Sequence, residues 1–288
     1  MPLIINPSLP AARKLNITRH NPRLTIALIN LMPVKPDTEL DILSLIAPLQ
    51  INIAVDLLTP LSHSSRNTSA EHIRSFYKDL SAVADTRYDG IILTGAPVEH
   101  LPFEQVDYWS QIAAVIDYAM ATGTPMLNIC WGAFAALFKL YGIEMHYRKE
   151  KLSGIFRQKL LNESPLTREF PDTFTMPHSR HAVWNDDEID STAQLTPLAT
   201  NATTGHSIIT DTRGNIFING HLEYSLLTLD KEYRRDLSKG IHPDIPANYY
   251  PDNNPDRQPA DTWHSIALKF YDNWTHTLFS KKISKELA

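Results

Sequence analysis

The chain has 288 residues, enough to bury a large core, and its 43% hydrophobic and 20% charged residues are ordinary for a soluble globular protein. A net charge of −5 without a long basic run disfavours nucleic acid as a partner, and no apolar run approaches the roughly 20 residues of a membrane span. One cysteine excludes an internal disulfide and any zinc site that needs two cysteine ligands from one chain. With no signal peptide evident at the start of the sequence, we expect a cytoplasmic protein.

Four short apolar runs in the first half, at residues 24–31, 51–58, 90–95 and 125–130, predict buried parallel strands. Helical patterns separate these runs, at 38–47, 70–83 and 104–120. Alternating strands and helices predict an α/β fold, an open and mostly parallel sheet with helices on both faces. Such sheets bind ligands beyond the carboxyl ends of their strands.

The second half is less regular. Segments 207–210 and 215–219 are predicted to form a hairpin, and 225–239 an amphipathic helix closed by Gly240. A loop rich in proline and asparagine follows at 242–259, and a last helix is expected at about 261–279. Because no Gly/Ser-rich linker interrupts the chain, we expect one domain over 1–288, with an arm at 1–23, a core half at 24–140 and a second half at 141–288.

Cys130 ends the fourth predicted strand, and a run of helix formers follows it. A nucleophile at such a strand-to-helix turn is exposed at the top of a sheet, and the start of a helix favours the thiolate form of a thiol. The alternative is that a lone cysteine is a small buried hydrophobe.

A His-x-Glu pair, His221 and Glu223, follows the second strand of the predicted hairpin. A histidine can take the proton of a nearby thiol, and a carboxylate can orient the imidazole and stabilise its charged form. The order Cys, His, Glu is the one expected of a thiol-nucleophile triad. His221 as a polar cap at a strand end is the alternative.

With these residues the chain resembles the homoserine O-acyltransferase (homoserine O-acetyl/succinyltransferase) family, which shares the flavodoxin-like fold and the elbow of class I glutamine amidotransferases. The resemblance covers about residues 24–274. It rests on the segments 30–33, 37–39, 65–68, 94–99, 101–104, 106–109, 129–133, 177–180 and 248–251.

The resemblance implies a two-step, ping-pong reaction. Cys130 would take an acyl group from acyl-coenzyme A, and His221, oriented by Glu223, would deprotonate the hydroxyl of a small amino acid. The Trp131 N–H is the natural first oxyanion donor, and a second could come from the loop at 94–97.

By the same resemblance three further residues contact substrate: Lys151, Ser179 and Arg235. Taken alone, Arg235 and Lys151 are typical of ordinary solvated charges and Ser179 of a turn residue. Lys35 is a further candidate for the electrostatics of the site.

Glu99 is predicted to select the acyl donor, because family members with glutamate there resemble acetyl-CoA users and those with glycine succinyl-CoA users. A carboxylate beside the thioester would also repel a succinyl carboxylate. We therefore expect acetyl-CoA as a co-substrate, with no bound cofactor and no metal. Relatives suggest a homodimer. A plain loop charge is the alternative for Glu99.

The chain departs from the usual family sequence at several positions, including Leu222, Ala182 and Phe134. Phe134 lies one helical turn after Cys130, where a bulky apolar group could shorten the acceptor pocket. The acceptor is therefore L-homoserine by family default, in methionine synthesis, with L-serine, in cysteine synthesis, a close second. Core packing is the alternative for Phe134, and the sequence slightly favours it.

Two rival functions use the same residues. A glutaminase would form a glutamyl thioester on Cys130 and release ammonia to a synthetase. A binding or sensing module could keep the fold without the chemistry, although the intact triad residues argue against it.

Overall fold

The computed structural model describes residues 3–15, 21–62 and 67–287; Ser65 and Arg66, of the motif at 65–68, lie outside this part. The strands are β1 (Leu3–Ile4), β2 (Leu24–Ile29), β3 (Ile53–Thr59), β4 (Tyr77–Asp79), β5 (Gly90–Leu93), β6 (Met126–Ile129), β7 (His146–Leu160), β8 (Thr173–Val183), β9 (Leu195–Asn201), β10 (Gly205–Asp211) and β11 (Ile216–Ile218). The α-helices are α1 (Pro10–Lys14), α2 (Lys35–Ile46), α3 (Ala70–Phe76), α4 (Trp109–Thr122), α5 (Trp131–Tyr141), α6 (Asp186–Ser191), α7 (Thr228–Ser238) and α8 (His264–Glu286).

These strands form one mixed sheet in the order β1-β3-β2-β5-β6-β11-β10-β9-β7-β8, with β4 pairing with β3 off this path. From β1 to β11 every pair is parallel, whereas the pairs from β11 through β10, β9 and β7 to β8 are antiparallel. The predicted α/β fold is therefore confirmed. The β6–β11 pair is the seam at which the parallel half meets the antiparallel half.

Each face of the parallel half buries its own core. In β2, Ile26 and Leu28 face a core that α2 and α8 cover, while Ala27 and Ile29 face a second core covered by α4 and α5. Side chains that alternate between two buried faces explain why these strands form continuous apolar runs in the sequence. The four predicted parallel strands are present as β2, β3, β5 and β6.

The helix predicted over 70–83 is wrong beyond Phe76. After α3 the chain turns extended, and Tyr77 pairs with Leu57 so that β4 covers part of the outer edge of β3. The hydroxyl of buried Tyr77 donates to the carboxylate of Glu39 at 2.6 Å, a contact that a continued helix would lose. The helix predicted over 104–120 is shorter at its start, because residues 103–105 form a 3₁₀ turn.

In the second half the predicted hairpin is present as β10 and β11, and the two predicted helices as α7 and α8. Sequence reasoning missed the long antiparallel strands β7 and β8 and the strand β9. Within the described residues, no helix is long and apolar enough to cross a membrane.

Candidate active site

Cys130 occupies the turn between β6 and α5, with φ 50° and ψ −119°. A positive φ is costly for a residue with a Cβ, and such strain is typical of a nucleophile elbow. At Gly132, in the first turn of α5, an added Cβ would stand 2.7 Å from the Leu93 carbonyl oxygen. The helix therefore starts directly against the sheet, and the strained turn holds the thiol at the carboxyl end of β6.

His221 and Glu223 reach the same edge of the sheet from the neighbouring strand. The Cys130 N–H donates to the carbonyl of Ile218 at 2.7 Å, which ties the elbow to the end of β11. Three residues later the His221 N–H donates to the Pro177 carbonyl at 2.8 Å. The Nδ1 of His221 lies 2.7 Å from Oε1 of Glu223, and both side chains are buried.

The electrostatics of this cluster favour a charged imidazole. Burial lowers the pKa of His221, but the Glu223 carboxylate and the Cys130 thiol outweigh burial and raise that pKa well above its usual 6.5. The other ring nitrogen, Nε2, is buried, and an interaction between the imidazole and the Cys130 side chain contributes to this rise. The imidazole is thus oriented through Nδ1 and keeps Nε2 available for proton transfer.

The ring of Tyr224 stacks on the imidazole of His221, with ring centroids 4.0 Å apart and planes inclined by 18°. The Tyr224 carbonyl accepts a hydrogen bond from the indole of Trp263 at 3.0 Å, so its backbone is anchored to the start of α8. Sequence reasoning did not single out Tyr224, although it directly follows the His-x-Glu pair.

A cleft of about 590 Å³ opens over Cys130 and His221. Cys130 and His221 line it together with the four residues predicted to select or bind substrates, namely Glu99, Lys151, Ser179 and Arg235. Glu99 is half-buried and its Oε1 accepts from the His181 N–H at 3.5 Å. Arg235 is half exposed at the rim and donates to the Asp236 carboxylate at 2.8 Å.

Trp131 and Gly95 border the thiol through their backbones. Trp131 is the first residue of α5, so its N–H has no partner within the helix. Gly95 lies against the thiol: a Cβ there would stand 3.2 Å from Cys130 Cβ and 3.7 Å from Sγ. The absence of a side chain at Gly95 leaves room beside the Cys130 thiol.

Glu232, which sequence reasoning passed over as part of a charged helix face, is central to the floor of the cleft. Its carboxylate accepts hydrogen bonds from the Ser179 hydroxyl, from Lys151 Nζ at 3.2 Å and from the Tyr224 hydroxyl at 2.8 Å. Burial raises the pKa of Glu232, but Lys151 and these hydroxyls outweigh burial and lower it. Glu232 is therefore an anion that links two predicted substrate contacts to the residue beneath His221.

Two other candidates are not among the residues that line the cleft. Lys35 is buried behind it, where Nζ donates to the Asn30 carbonyl at 2.5 Å, and burial lowers its pKa to about 8. Phe134 is buried in the core and packs on Trp184 with ring centroids 4.9 Å apart. The geometry therefore favours the core-packing interpretation of Phe134. Among the described residues no cluster of three or more His, Cys, Asp or Glu side chains could hold a metal ion.

The α/β sheet with its helices on both faces is a fold of the kind found in class I glutamine amidotransferases. A glutamine amidotransferase from Thermotoga maritima aligns with a TM-score of 0.60 at 14% identity, over 90% of this chain and 99% of that one. A glutamine amidotransferase from Methylobacillus flagellatus aligns with a TM-score of 0.54 at 13% identity, over 91% of this chain and 94% of that one. At this identity the likeness concerns the fold alone, and it confirms the predicted fold class.

Sequence relatives give the family. The model of the homoserine O-succinyltransferase family matches residues 9–284, so the chain belongs to this family. Proteins named homoserine O-acetyltransferase are 41% identical in Lachnospira eligens and 42% in Methanomassiliicoccus intestinalis, over 95% of this chain and 93% and 94% of theirs. A protein of the same name from Bacillus cereus is 40% identical, over 95% of this chain and 96% of its own. The predicted family resemblance is confirmed.

Proposed function

We propose that this protein is a homoserine O-acetyltransferase that moves an acetyl group from acetyl-CoA, through a thioester on Cys130, to the side-chain hydroxyl of L-homoserine. The observation that carries the proposal is the strained Cys130 elbow beside a buried, carboxylate-oriented histidine in one cleft. Relatives about 40% identical that carry this name support the substrate pair.

In the first half-reaction the Cys130 thiolate attacks the thioester carbonyl of the donor. The Trp131 N–H, with a second donor from the loop at 94–97, would stabilise the oxyanion that forms. His221 gives its proton to the departing thiolate of coenzyme A as the C–S bond to coenzyme A breaks. The products are free coenzyme A, an acetyl thioester on Cys130 and a neutral imidazole.

In the second half-reaction neutral His221 takes the proton of the homoserine hydroxyl through Nε2 as that oxygen attacks the acetyl thioester. The collapse releases O-acetylhomoserine and restores the thiolate beside a charged imidazole. Arg235 would bind the carboxylate of the amino acid, and Lys151 and Ser179 would complete its site. The anionic Glu232, which contacts both Lys151 and Ser179, would bind the ammonium group of the acceptor.

Glu99 is proposed to select the donor. Because its carboxylate borders the same cleft as Cys130, a succinyl carboxylate on the thioester would meet a like charge in a partly dry space. Glu99→Gly should therefore raise the rate with succinyl-CoA relative to acetyl-CoA.

The test is release of free coenzyme A by purified protein from acetyl-CoA, with homoserine and serine as parallel acceptors. We expect homoserine to be preferred, since Phe134 lies in the core and does not shorten the cleft. Parallel double-reciprocal plots and an acetyl adduct on Cys130 by intact mass would support the ping-pong route. Cys130→Ala is the control.

Three outcomes would count against the proposal. Coenzyme A release that survives Cys130→Ala would exclude the thioester, and a preference for serine would assign the protein to cysteine rather than methionine synthesis. Ammonia released from glutamine would favour the glutaminase alternative.

A further inference from the structure

An exposed aromatic pair stands at the mouth of the catalytic cleft. The rings of Tyr147 and His181 are stacked, with centroids 5.2 Å apart and planes inclined by only 11°. Both side chains line the cleft that holds Cys130, yet Tyr147 remains 56% exposed. A large aromatic ring left open at a cleft mouth is a surface on which another flat ring can stack.

Strand pairing and one hydrogen bond position the two residues of the pair. Tyr147 sits in β7 opposite Ala182 of β8, and the His181 ring nitrogen Nδ1 lies 3.0 Å from the Arg148 carbonyl oxygen. The His181 backbone in turn donates to Glu99. The stacking surface therefore adjoins the residue proposed to select the acyl group.

A bulge adds positive charge beside this surface. The β7–β8 register passes from Tyr147–Ala182 to Leu152–Arg180, so residues 148–151 stand opposite His181 alone. Bulges of this kind redirect side chains next to active sites. The bulge carries Arg148, Lys149 and Lys151 against one carboxylate, Glu150, in a chain whose net charge is −5.

Only one of these cations is committed to a partner. Lys151 pairs with Glu232, whereas Arg148 and Lys149 form no ion pair within the described ranges. Lys149 lines the cleft. A fixed aromatic surface with an uncommitted ammonium beside it is complementary to a base that carries phosphates.

We propose that the stacked pair Tyr147–His181, with Lys149 beside it, binds the adenine nucleotide of the acyl-CoA donor while the acyl end reaches Cys130. This inference rests on the proposed function and extends it to the part of the donor that does not react. Binding energy from such a remote group positions the reacting group.

The experiment compares two donors, acetyl-CoA and acetyl-pantetheine, which carries the same thioester without the nucleotide. Acetylation of Cys130 is followed by intact mass at increasing donor concentration in the wild type, Tyr147→Ala and Tyr147→Phe. We expect Tyr147→Ala to raise the half-saturating concentration of acetyl-CoA about tenfold, from the usual strength of base–aromatic stacking. Tyr147→Phe should behave like the wild type, and acetyl-pantetheine should not distinguish the three proteins.

A second pair of variants tests the charge. Lys149→Gln should weaken acetyl-CoA use more at low salt than at high salt, because exposed charges are screened. Lys139→Gln is the matched control, since Lys139 lies on α5 outside the residues that line the cleft and pairs with Asp117. Equal effects of the two substitutions would overturn the assignment of Lys149.

The remaining outcomes separate this inference from the proposed function. If Tyr147→Ala raises the half-saturating concentration equally for both donors, or for neither, the nucleotide site is overturned and the proposed function is left intact. If neither donor acetylates the wild type, the proposed function fails, and calorimetry with adenosine 3′,5′-bisphosphate decides the nucleotide site alone: binding lost in Tyr147→Ala supports it, and no binding overturns it. A change in the acetyl-pantetheine rate on adding the bisphosphate would indicate an effector site instead.

Discussion

The Glu223→Gln substitution removes one negative charge from beside His221 while keeping the size of the side chain. Nδ1 and Oε1 are 2.7 Å apart and both groups are buried. At this separation two unit charges attract by about 6 kcal/mol with an effective dielectric constant of about 20. Part of that attraction only offsets the cost of taking both charges out of water. We therefore expect the charged imidazole to lose about 2–5 kcal/mol of net stabilisation in Glu223→Gln, as for other buried charge pairs.

Such a loss corresponds to a rate reduction of about 30- to 5,000-fold. The assay is single-turnover acetylation of Cys130 by acetyl-CoA as a function of pH, together with an NMR titration of the His221 ring protons. Because the Glu223 carboxylate raises the pKa of His221, its removal should lower that pKa. The imidazolium would then be less populated at neutral pH, and acetylation there should slow.

Glu169→Gln is the control, because Glu169 is an exposed carboxylate paired with Lys269 on α8 at the surface. This variant should leave both readouts unchanged. If Glu223→Gln is acetylated on Cys130 at the wild-type rate and its His221 titration is unaltered, the proposed charge pair between Glu223 and His221 is refuted.

Three further predictions concern stability and substrate binding. Burial raises the pKa of Asp41 from 3.8 to about 7. Between pH 3.8 and about pH 7 the folded protein therefore keeps a proton on Asp41 that the unfolded chain has lost. The free energy of unfolding consequently falls as the pH rises through this range. Asp41→Asn should therefore raise the melting temperature above pH 7 but hardly change it near pH 3.8; an equal change at both would contradict this. In Gly132→Ala the new Cβ would stand 2.7 and 2.8 Å from two backbone carbonyl oxygens. The free energy of unfolding measured in urea should therefore fall by about 1–3 kcal/mol. An unchanged urea midpoint would exclude the clash. Glu232→Gln should raise the KM for homoserine more than that for acetyl-CoA in steady-state kinetics, and equal effects would remove Glu232 from the acceptor site.

The parallel half of the sheet was predictable because its signals are local. Strands buried on both faces leave continuous apolar runs, as in β2 and β6, and each ends where a helical pattern begins. The strands β7 and β8 were missed because much of β7 is exposed and charged, and the bulge at 148–151 breaks its alternation. The false continuation of α3 came from a helical pattern that pairing of Tyr77 with β3 overrides.

The candidate site divides in the same way. The Cys130 elbow and the His221–Glu223 pair are short patterns in which neighbouring residues already indicate the chemistry. Glu232 has no such pattern, since its partners Lys151 and Ser179 lie 81 and 53 residues away in the chain. Only the antiparallel extension of the sheet brings these segments together, so spacing along the sequence could not reveal this partly buried anion.

The seam between β6 and β11 has a consequence for folding during synthesis on the ribosome. Cys130 directly follows β6, which is synthesised with the first half of the chain, whereas His221 follows β11, which lies between β6 and β10 in the sheet. Until that strand is in place, Cys130 lacks the Ile218 carbonyl that ties its backbone and the neighbouring imidazole of His221. An incompletely folded chain therefore has Cys130 without its histidine neighbour, and under the proposed function acyl transfer to this thiol would begin only when the two halves of the sheet have joined.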